Sequence, residues 1–285
     1  MKVLITGCEG QLGLHLRYKF KNIKWIEPLI TNKKTLDISD TDQVDSYFEK
    51  YLPDIVINAA AFTLVDAAEE SPSKAFKVNH IGAANLAKAS AKYNGVIIQI
   101  STDYIFDGNS NRAYIENDSP NPLNIYGLSK LNGEKAVIQF NPKHIILRTS
   151  WLFSGVGKNF YLTISNMLNT KKSISVVNDQ IGAPTAVSDF VDLISKILEK
   201  LHKEKVLQWG VYHYAGFPFI SWFGFAKHIQ KVIYPKGMEC EILENSAQLY
   251  NSPARRPLNS SLNSSKACSY FGVEPSDWIS GLNKL

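Results

Sequence analysis

The sequence predicts an α/β protein built on a Rossmann-type, doubly wound parallel sheet. Over residues 1–150, short apolar runs alternate with segments of helical periodicity, which is typical of strands joined by right-handed helical crossovers. The first apolar run ends in a glycine-rich turn, and the third ends in a run of alanines. Because doubly wound sheets bind ligands where their strands end, these features together predict a cofactor cleft.

The first unit has the pattern of a dinucleotide-binding element. Lys2–Thr6 is predicted to be a buried strand, and Gly7–Gly13 (GCEGQLG) is a turn of the form GxxGxxG. An amphipathic helix is expected to run from Gln11 toward Phe20. The glycines would let backbone amides approach a pyrophosphate, and the helix N-terminus would supply partial positive charge. The alternative is a tight structural turn.

The end of the second strand bears on the choice of cofactor. The strand is predicted at Ile23–Ile30, and it runs into the basic, hydroxyl-rich loop Thr31–Lys34. A NAD-preferring site usually places an acidic residue there, and Glu27 comes too early. The loop therefore favours NADPH, with NADH as the alternative. Asp37 is then available to the adenine region, ahead of a helix that begins near Ser39 or Asp40.

The remaining elements of the first 150 residues follow in order. Pro53 ends the second helix, and a polar loop at Asn109–Pro122 precedes the helix that carries Tyr126 and Lys130. The predicted strands are Asp54–Ala61, Val96–Ser101 and Lys143–Arg148, and the predicted helices are Thr63–Glu70 and Pro72–Tyr93. Residues 1–150 are therefore predicted to form the NAD(P)-binding domain.

Residues 151–285 are expected to form a smaller α/β lobe that binds the substrate, with some segments returning to the first domain. The expected strands are Ile174–Val177 and Tyr212–Tyr214, and the expected helices are Phe160–Leu168, Ala186–Lys200 and Ser221–Tyr234. The tail at Leu249–Leu285 is rich in Ser, Asn and Pro, but its aromatic residues predict that it packs against the protein.

Tyr126 and Lys130 are spaced to share one face of a helix. An ammonium beside a phenol favours the phenolate, so the spacing predicts a tyrosine pKa below its usual value of about 10. Such a phenol can pass a proton to a carbonyl oxygen. The spacing alone is also compatible with an ordinary pair on an exposed helix.

Composition and charge exclude several classes of function. The formal net charge of +5 is mild and the basic residues are scattered, so no nucleic-acid partner is expected. The three cysteines form no CxxC motif, the six histidines show no metal-ligand spacing, and no apolar run is long enough to span a bilayer. We therefore expect no metal, no membrane association and a cytoplasmic location.

Ser101 and Thr102 after the fourth strand, followed by Tyr126-x-x-x-Lys130, resemble the pattern of the extended short-chain dehydrogenase/reductase superfamily. Seven further blocks can be compared within it: Gly10–Gly13, Asn58–Glu69, Ser101–Gly108, Asn124–Lys130, Arg148–Phe153, Asn178–Thr185 and Arg256–Leu262. These blocks resemble the dTDP-4-dehydrorhamnose reductase family.

The resemblance implies reduction of the 4-keto group of dTDP-4-dehydro-L-rhamnose to dTDP-L-rhamnose, the last step of dTDP-rhamnose synthesis. It implies that Tyr126 donates the proton, that Lys130 holds the nicotinamide ribose, and that Thr102 hydrogen-bonds the carbonyl oxygen. The cofactor-binding residues implied are Gly7, Gly10, Gln11, Leu12, Gly13, Asp37, Ile38, Ala61, Phe62, Thr63, Tyr126 and Lys130. The substrate-binding residues implied are Thr102, Asp103, Trp151, Gln180 and Arg256.

Alternatives remain for single residues and for the whole chain. Trp151 is also compatible with a core position, Asp179 and Gln180 with a turn before Pro184, and Arg256 with an ion pair. A 4-epimerase uses the same Tyr and Lys, other nucleotide-linked 4-keto-6-deoxysugars fit the same catalytic set, and the regulatory β subunit of methionine adenosyltransferase resembles the family without being an established reductase.

Two further comparisons within the superfamily can be made from the sequence. A 4,6-dehydratase is disfavoured, because Tyr104 stands where a second acid is expected. Some family members hold Mg²⁺ between subunits with glutamates, but His15 and Ser188 occupy the corresponding places. No such metal is predicted here, and the chain is expected to be a monomer or a homodimer.

Overall fold

The computed structural model describes residues 1–204, 206–235, 240–249 and 252–285. In chain order the strands are β1 (Lys2–Thr6), β2 (Glu27–Ile30), β3 (Ile55–Asn58), β4 (Val96–Thr102), β5 (His144–Thr149), β6 (Leu152–Phe153), β7 (Ser173–Val177), β8 (Ile181–Gly182), β9 (Thr185–Ala186), β10 (Gly210–His213), β11 (Gly216–Phe217), β12 (Ile220–Ser221), β13 (Glu241–Asn245) and β14 (Ser276–Asp277). The α-helices are α1 (Gln11–Phe20), α2 (Thr41–Tyr51), α3 (Val65–Glu70), α4 (Pro72–Phe76), α5 (Ala83–Lys92), α6 (Ile125–Phe140), α7 (Phe160–Thr170), α8 (Val187–Glu204), α9 (Trp222–Ile233), α10 (Ser265–Phe271) and α11 (Trp278–Asn283).

A parallel six-stranded sheet in the order β10-β5-β4-β3-β1-β2 forms the centre of the structure. Strands β3, β4 and β5 are buried along their whole length, as expected for continuous apolar runs covered by helices on both faces. The strand order reverses direction between β1 and β3, which creates the switch point where such sheets bind ligands. The predicted α/β class is confirmed.

Two apolar cores hold the helices against the sheet. On one face, α1 and α8 pack around Leu16, Phe20 and Phe190. On the other face, α2, α5 and α6 pack around Phe48 and Leu86. Both the sheet edge β10 and helix α8 come from beyond residue 150, so the second half of the chain contributes directly to the main sheet. The division of the chain near residue 150 stays a prediction.

The second lobe has its own core, in which α7, α9 and α11 pack around Phe153, Phe225 and Trp278. Trp278 and Leu282 are almost fully buried, so the packing predicted for this part of the tail is confirmed. Residues 250 and 251 of that tail lie outside the described residues.

Several predicted elements differ from the structure in their bounds, and two of these differences are informative. The second strand begins at Glu27 rather than Ile23, because the preceding chain turns, with the Ile26 amide donating to the Ile23 carbonyl at 3.0 Å. The long helix predicted from Pro72 contains a π-helical segment at Lys77–Gly82. Such segments occur frequently at functional sites, and this one carries Asn79, whose side chain contacts the main chain of Phe62.

Within the described ranges, no helix has the length and apolar character that a bilayer crossing requires.

Candidate active site

The glycine turn after β1 can only be built from glycines at two of its positions. Gly7 has φ +66°, and a Cβ there would lie 2.7 Å from the Cα of Ala60. A Cβ on Gly13 would overlap the Gly7 carbonyl oxygen. The Gly10 amide donates to that same carbonyl at 3.0 Å, and α1 begins directly afterwards at Gln11. The turn therefore brings bare main chain to the helix N-terminus, as a pyrophosphate site needs.

Beside this turn lies a cleft of about 500 Å³ at the carboxyl ends of the strands. It brings together ten of the residues predicted to form the site: Gly10, Gln11, Leu12, Ala61, Thr63, Thr102, Asp103, Tyr126, Lys130 and Trp151. Residues from both halves of the chain therefore share one cavity wall.

Most of the other predicted site residues line two further cavities. A cavity of about 370 Å³ is lined by Gly7, Asp37, Ile38 and Phe62, together with Lys33 of the basic loop. A cavity of about 330 Å³ in the second lobe is lined by residues that include Gln180, Arg256, Tyr104, Phe160 and Trp222. Gly13 packs under the turn and lines none of the three cavities.

Local capping sets the position of the tyrosine and lysine. The Asn124 side chain caps α6 by accepting from the Gly127 amide at 2.8 Å, which places Tyr126 in the first turn of the helix. A Cβ on Gly127 would overlap the Tyr104 carbonyl oxygen, so the helix start packs tightly against the chain after β4. One turn later, Lys130 Nζ donates to the Ile100 carbonyl of β4 at 2.5 Å.

The prediction of a lowered pKa for Tyr126 is wrong. Burial raises the pKa of Tyr126 to about 12, a hydrogen bond from Thr102 opposes this rise, and the Asp103 charge adds to it. Burial lowers the pKa of Lys130 to about 8, and the Glu134 carboxylate opposes that change. Burial disfavours the charged form of each group, and the ammonium is hydrogen-bonded to the Ile100 carbonyl instead of the phenol.

Asp103 is a buried carboxylate on the wall of the cleft. Its Oδ1 accepts from the Thr102 hydroxyl at 3.0 Å, while Oδ2 has no hydrogen-bond partner among the described residues. Burial raises the pKa of Asp103 to about 6, and the nearby hydroxyls of Ser260 and Thr102 oppose the rise. An unpartnered carboxylate oxygen beside the Thr102 hydroxyl is suited to accept a hydrogen bond from a ligand hydroxyl.

The predicted substrate residues have protein partners in this structure. Trp151 is half-buried and stacks on Trp222, with ring centroids 3.3 Å apart. The Arg256 guanidinium pairs with Asp66 at 2.9 Å, as the ion-pair interpretation expected, while it also lines the third cavity. The Asp179 carboxylate accepts from the Ala247 amide at 2.8 Å, and Asp179 lines none of these three cavities.

Asn79 is a candidate positioning residue that the sequence reasoning missed. It lies in the π-helical segment and is 2% exposed. Its side chain accepts from the Phe62 amide at 2.8 Å and donates to the Phe62 carbonyl at 3.0 Å and to Ser129 Oγ at 2.9 Å. Asn79 thus links Phe62, a predicted cofactor-binding residue, to Ser129, which lies between Tyr126 and Lys130 on α6. The sequence carries no signal that separates Asn79 from the other polar residues of this helix, such as Asn85.

A buried charged network below the cleft was also missed. Glu134 follows Lys130 by one turn of α6 and pairs with Arg148 of β5 at 2.8 Å. Ser101, next to Thr102, donates its hydroxyl to the same carboxylate, and Arg148 Nη1 lies 3.3 Å from His213 Nε2. The spacing of Glu134 from Lys130 was visible in the sequence, but its partners lie on other strands.

Among the described residues, no group of three or more His, Cys, Asp or Glu side chains forms a metal site. His15 Nδ1 lies 2.9 Å from the Gln11 carbonyl oxygen, and Ser188 contacts the neighbouring Asp189. The expected absence of Mg²⁺ stays a prediction.

Comparisons with known proteins show what the whole chain is similar to. The family model described as RmlD substrate binding domain matches residues 1–285. The dTDP-4-dehydrorhamnose reductase of Aggregatibacter actinomycetemcomitans is 39% identical, with 100% of this chain and 98% of the relative covered. A crystal structure of a dTDP-4-dehydrorhamnose reductase from Clostridium acetobutylicum has a TM-score of 0.92 and 34% identity, with 100% and 98% covered. The Bacillus anthracis dTDP-4-dehydrorhamnose reductase in complex with NADP has a TM-score of 0.91 and 37% identity, with 99% and 97% covered.

Proposed function

The chain belongs to the dTDP-4-dehydrorhamnose reductase family, and we propose that it reduces the 4-keto group of dTDP-4-dehydro-L-rhamnose to give dTDP-L-rhamnose. It is an NAD(P)-dependent oxidoreductase, and the resemblance inferred from the sequence is confirmed. The observation that carries the proposal is the convergence of Thr102, Tyr126 and Lys130 on the cleft that begins at the glycine turn.

The residues of the turn fit a dinucleotide. The cradle at Gly7 and Gly13 has no room for a Cβ, and α1 starts at the same place. Lys33 on the adjoining cavity offers a cation to a 2′-phosphate, in keeping with the NADP-bound relative. When bound, the cofactor supplies the hydride for the carbonyl carbon.

The side chains of the chain supply the proton and the alignment. With a pKa of about 12, the Tyr126 phenol is protonated at neutral pH and can donate its proton to the carbonyl oxygen as the alkoxide develops. The Thr102 hydroxyl is placed to hydrogen-bond the same oxygen. Lys130, with a pKa of about 8, remains charged at neutral pH and is placed to hold the nicotinamide ribose.

The second lobe supports a nucleotide-linked sugar as substrate. We assign the sugar to the cleft between Asp103 and Trp151, and the nucleotide to the neighbouring cavity with its aromatic wall at Phe160 and Trp222. Arg256 on that cavity is suited to the diphosphate between them. Both proposed ligands are multiply charged and cross membranes poorly, so we propose a cytoplasmic location.

The decisive experiment is incubation of the protein with NADPH and dTDP-4-dehydro-L-rhamnose. We expect loss of the absorbance of the reduced cofactor and a product whose NMR spectrum is that of dTDP-L-rhamnose. A product of the other stereochemistry would reassign the sugar. Absence of NADPH oxidation, together with co-purification of a methionine adenosyltransferase subunit, would instead indicate a regulatory protein.

A further inference from the structure

The side chain of Gln11 is hydrogen-bonded to the chain beyond residue 150. Gln11 is the first residue of α1, and its main chain belongs to the glycine turn. Its Nε2 donates to the Leu152 carbonyl at 3.0 Å, and its Oε1 accepts from Asn159 Nδ2 at 2.7 Å and from Ser154 Oγ at 3.1 Å. Both polar atoms of this side chain are therefore bonded to the chain beyond residue 150.

The segment 154–159 folds around this side chain. Gly157 has φ +79°, and a Cβ there would lie 3.1 Å from the Gln11 Cβ. Asn159 Nδ2 also donates to the Ser154 carbonyl at 2.9 Å, which closes the segment on itself. Lys158 lines the main cleft next to Gln11. The position of this segment thus depends on where the Gln11 side chain lies.

Asn159 links Gln11 to helix α7 of the second lobe. Its Oδ1 accepts from the Leu162 amide at 3.0 Å and so caps α7, while its Nδ2 is held by Gln11. Helix α7 contributes Phe160 and Met167 to the cavity that we assign to the nucleotide. Phe160 also packs on Trp222, with ring centroids 4.4 Å apart.

We propose that Gln11 is a positioning residue that couples cofactor binding to nucleotide binding. A pyrophosphate bound by the backbone amides of the turn would fix the main chain of Gln11. The Gln11 side chain would then hold Asn159 and the start of α7 in place. Part of the conformational entropy lost on ordering the nucleotide cavity would therefore already be lost when the cofactor binds, so that the nucleotide binds more tightly. This coupling rests on the proposed function, and by linkage it acts equally in both directions.

The coupling can be measured with dTDP as the probe and the whole chain as the protein. Isothermal titration gives the Kd for dTDP with and without saturating NADP⁺, and the ratio of the two values is the readout. We expect NADP⁺ to tighten dTDP binding of the unmutated protein by about 5-fold or more, a typical size for coupling between two sites. In Gln11→Met the ratio should fall toward one.

A second variant tests whether a lower ratio in Gln11→Met could come from a folding defect. Asn159→Asp keeps the oxygen that caps α7 but loses the amide donor to Gln11, so its ratio should also fall while its thermal unfolding stays cooperative. Gln230→Met is the matched control, because Gln230 donates to the Cys240 carbonyl at 2.7 Å within the second lobe. It should keep the full ratio.

The outcomes separate the coupling from the proposed function. Equal dTDP affinities with and without NADP⁺ in the unmutated protein, or a full ratio retained in Gln11→Met and Asn159→Asp, would overturn the coupling alone. If NADP⁺ binds and dTDP does not, the nucleotide-sugar assignment is overturned, and the coupling with it.

Discussion

The guanidinium of Arg148 and the carboxylate of Glu134 form an ion pair beneath the active site, with Nη2 2.8 Å from Oε2 and both side chains at most 5% exposed. The pair joins β5 to α6, and Ser101 of β4 donates to the same carboxylate. Three elements that carry the site therefore meet at one buried charge pair.

Glu134→Gln should destabilise the protein strongly, because it leaves the Arg148 charge buried without its partner. We expect a loss of about 3–5 kcal/mol in the free energy of unfolding, measured by urea denaturation. Asp192→Asn, which removes an exposed pair with Lys19, should change it by only about 0.5 kcal/mol. Similar values for the two variants would contradict the importance of the buried pair.

Tyr126→Phe should remove the proton donor while keeping the ring. The ring packs edge-on against Tyr104, with centroids 5.7 Å apart, and phenylalanine can preserve that contact. We expect kcat to fall by about 10²–10⁴, with little change in the Kd for NADPH measured by fluorescence. Tyr18→Phe, at a site 73% exposed, is the control. Near-normal turnover in Tyr126→Phe would remove Tyr126 from its role.

Lys130 should give cofactor binding a pH dependence. Its pKa is lowered to about 8, so the ammonium is present below that pH and is lost above it. We expect the Kd for NADPH to increase as the pH rises through about 8. Lys130→Met should weaken cofactor binding and turnover together and abolish this dependence. Lys135→Met, on the exposed side of the same helix, should retain it; its loss there as well would argue for another titrating group.

Asp103→Asn should make the protein more stable at high pH. Because burial raises the pKa of Asp103 to about 6, the folded protein holds a proton that the unfolded chain releases above its ordinary pKa. The stability that this proton gives is present below about pH 4 and lost as the pH rises through about 6. The variant should be about 1–3 kcal/mol more stable than the unmutated protein at about pH 8, and the difference should narrow at about pH 4.

Urea denaturation at both pH values measures this effect, with Asp45→Asn as the exposed control. The same difference at both pH values would show that the carboxylate does not titrate as described. Turnover of Asp103→Asn should fall, since the residue is placed to bind the sugar. The carboxylate at this position would thus lower the stability of the folded protein while supporting its activity.

Gly182→Ala should displace Trp151. A Cβ at position 182 would overlap the Trp151 indole, which is also stacked on Trp222. Because a small displacement of a group that positions the substrate can lower the reaction rate strongly, we expect kcat/KM for the nucleotide sugar to fall about 10- to 100-fold. Gly155→Ala places its Cβ 3.6 Å from a Leu285 methyl, an ordinary contact, and serves as the control. Equal kinetics in both variants would show that the indole does not contact the substrate.

Much of this protein follows from the sequence by itself. The alternation of apolar runs and helical segments predicted the strands and helices, and the glycine spacing predicted the turn in which Gly7 adopts φ +66°. The helix that carries Tyr126 begins where Asn124 can cap it. These features depend on residues within a few positions of one another, so their spacing alone determines them.

Other properties were decided only by the tertiary structure. The pKa of Tyr126 is raised rather than lowered because burial outweighs a lysine whose ammonium is bonded to the Ile100 carbonyl. The Gln11 side chain bonds to Asn159, 148 positions away, and Arg256 to Asp66, 190 positions away. Spacing along the chain carries no information on such contacts. They arise when the folded sheet brings distant segments together and excludes water from the groups between them.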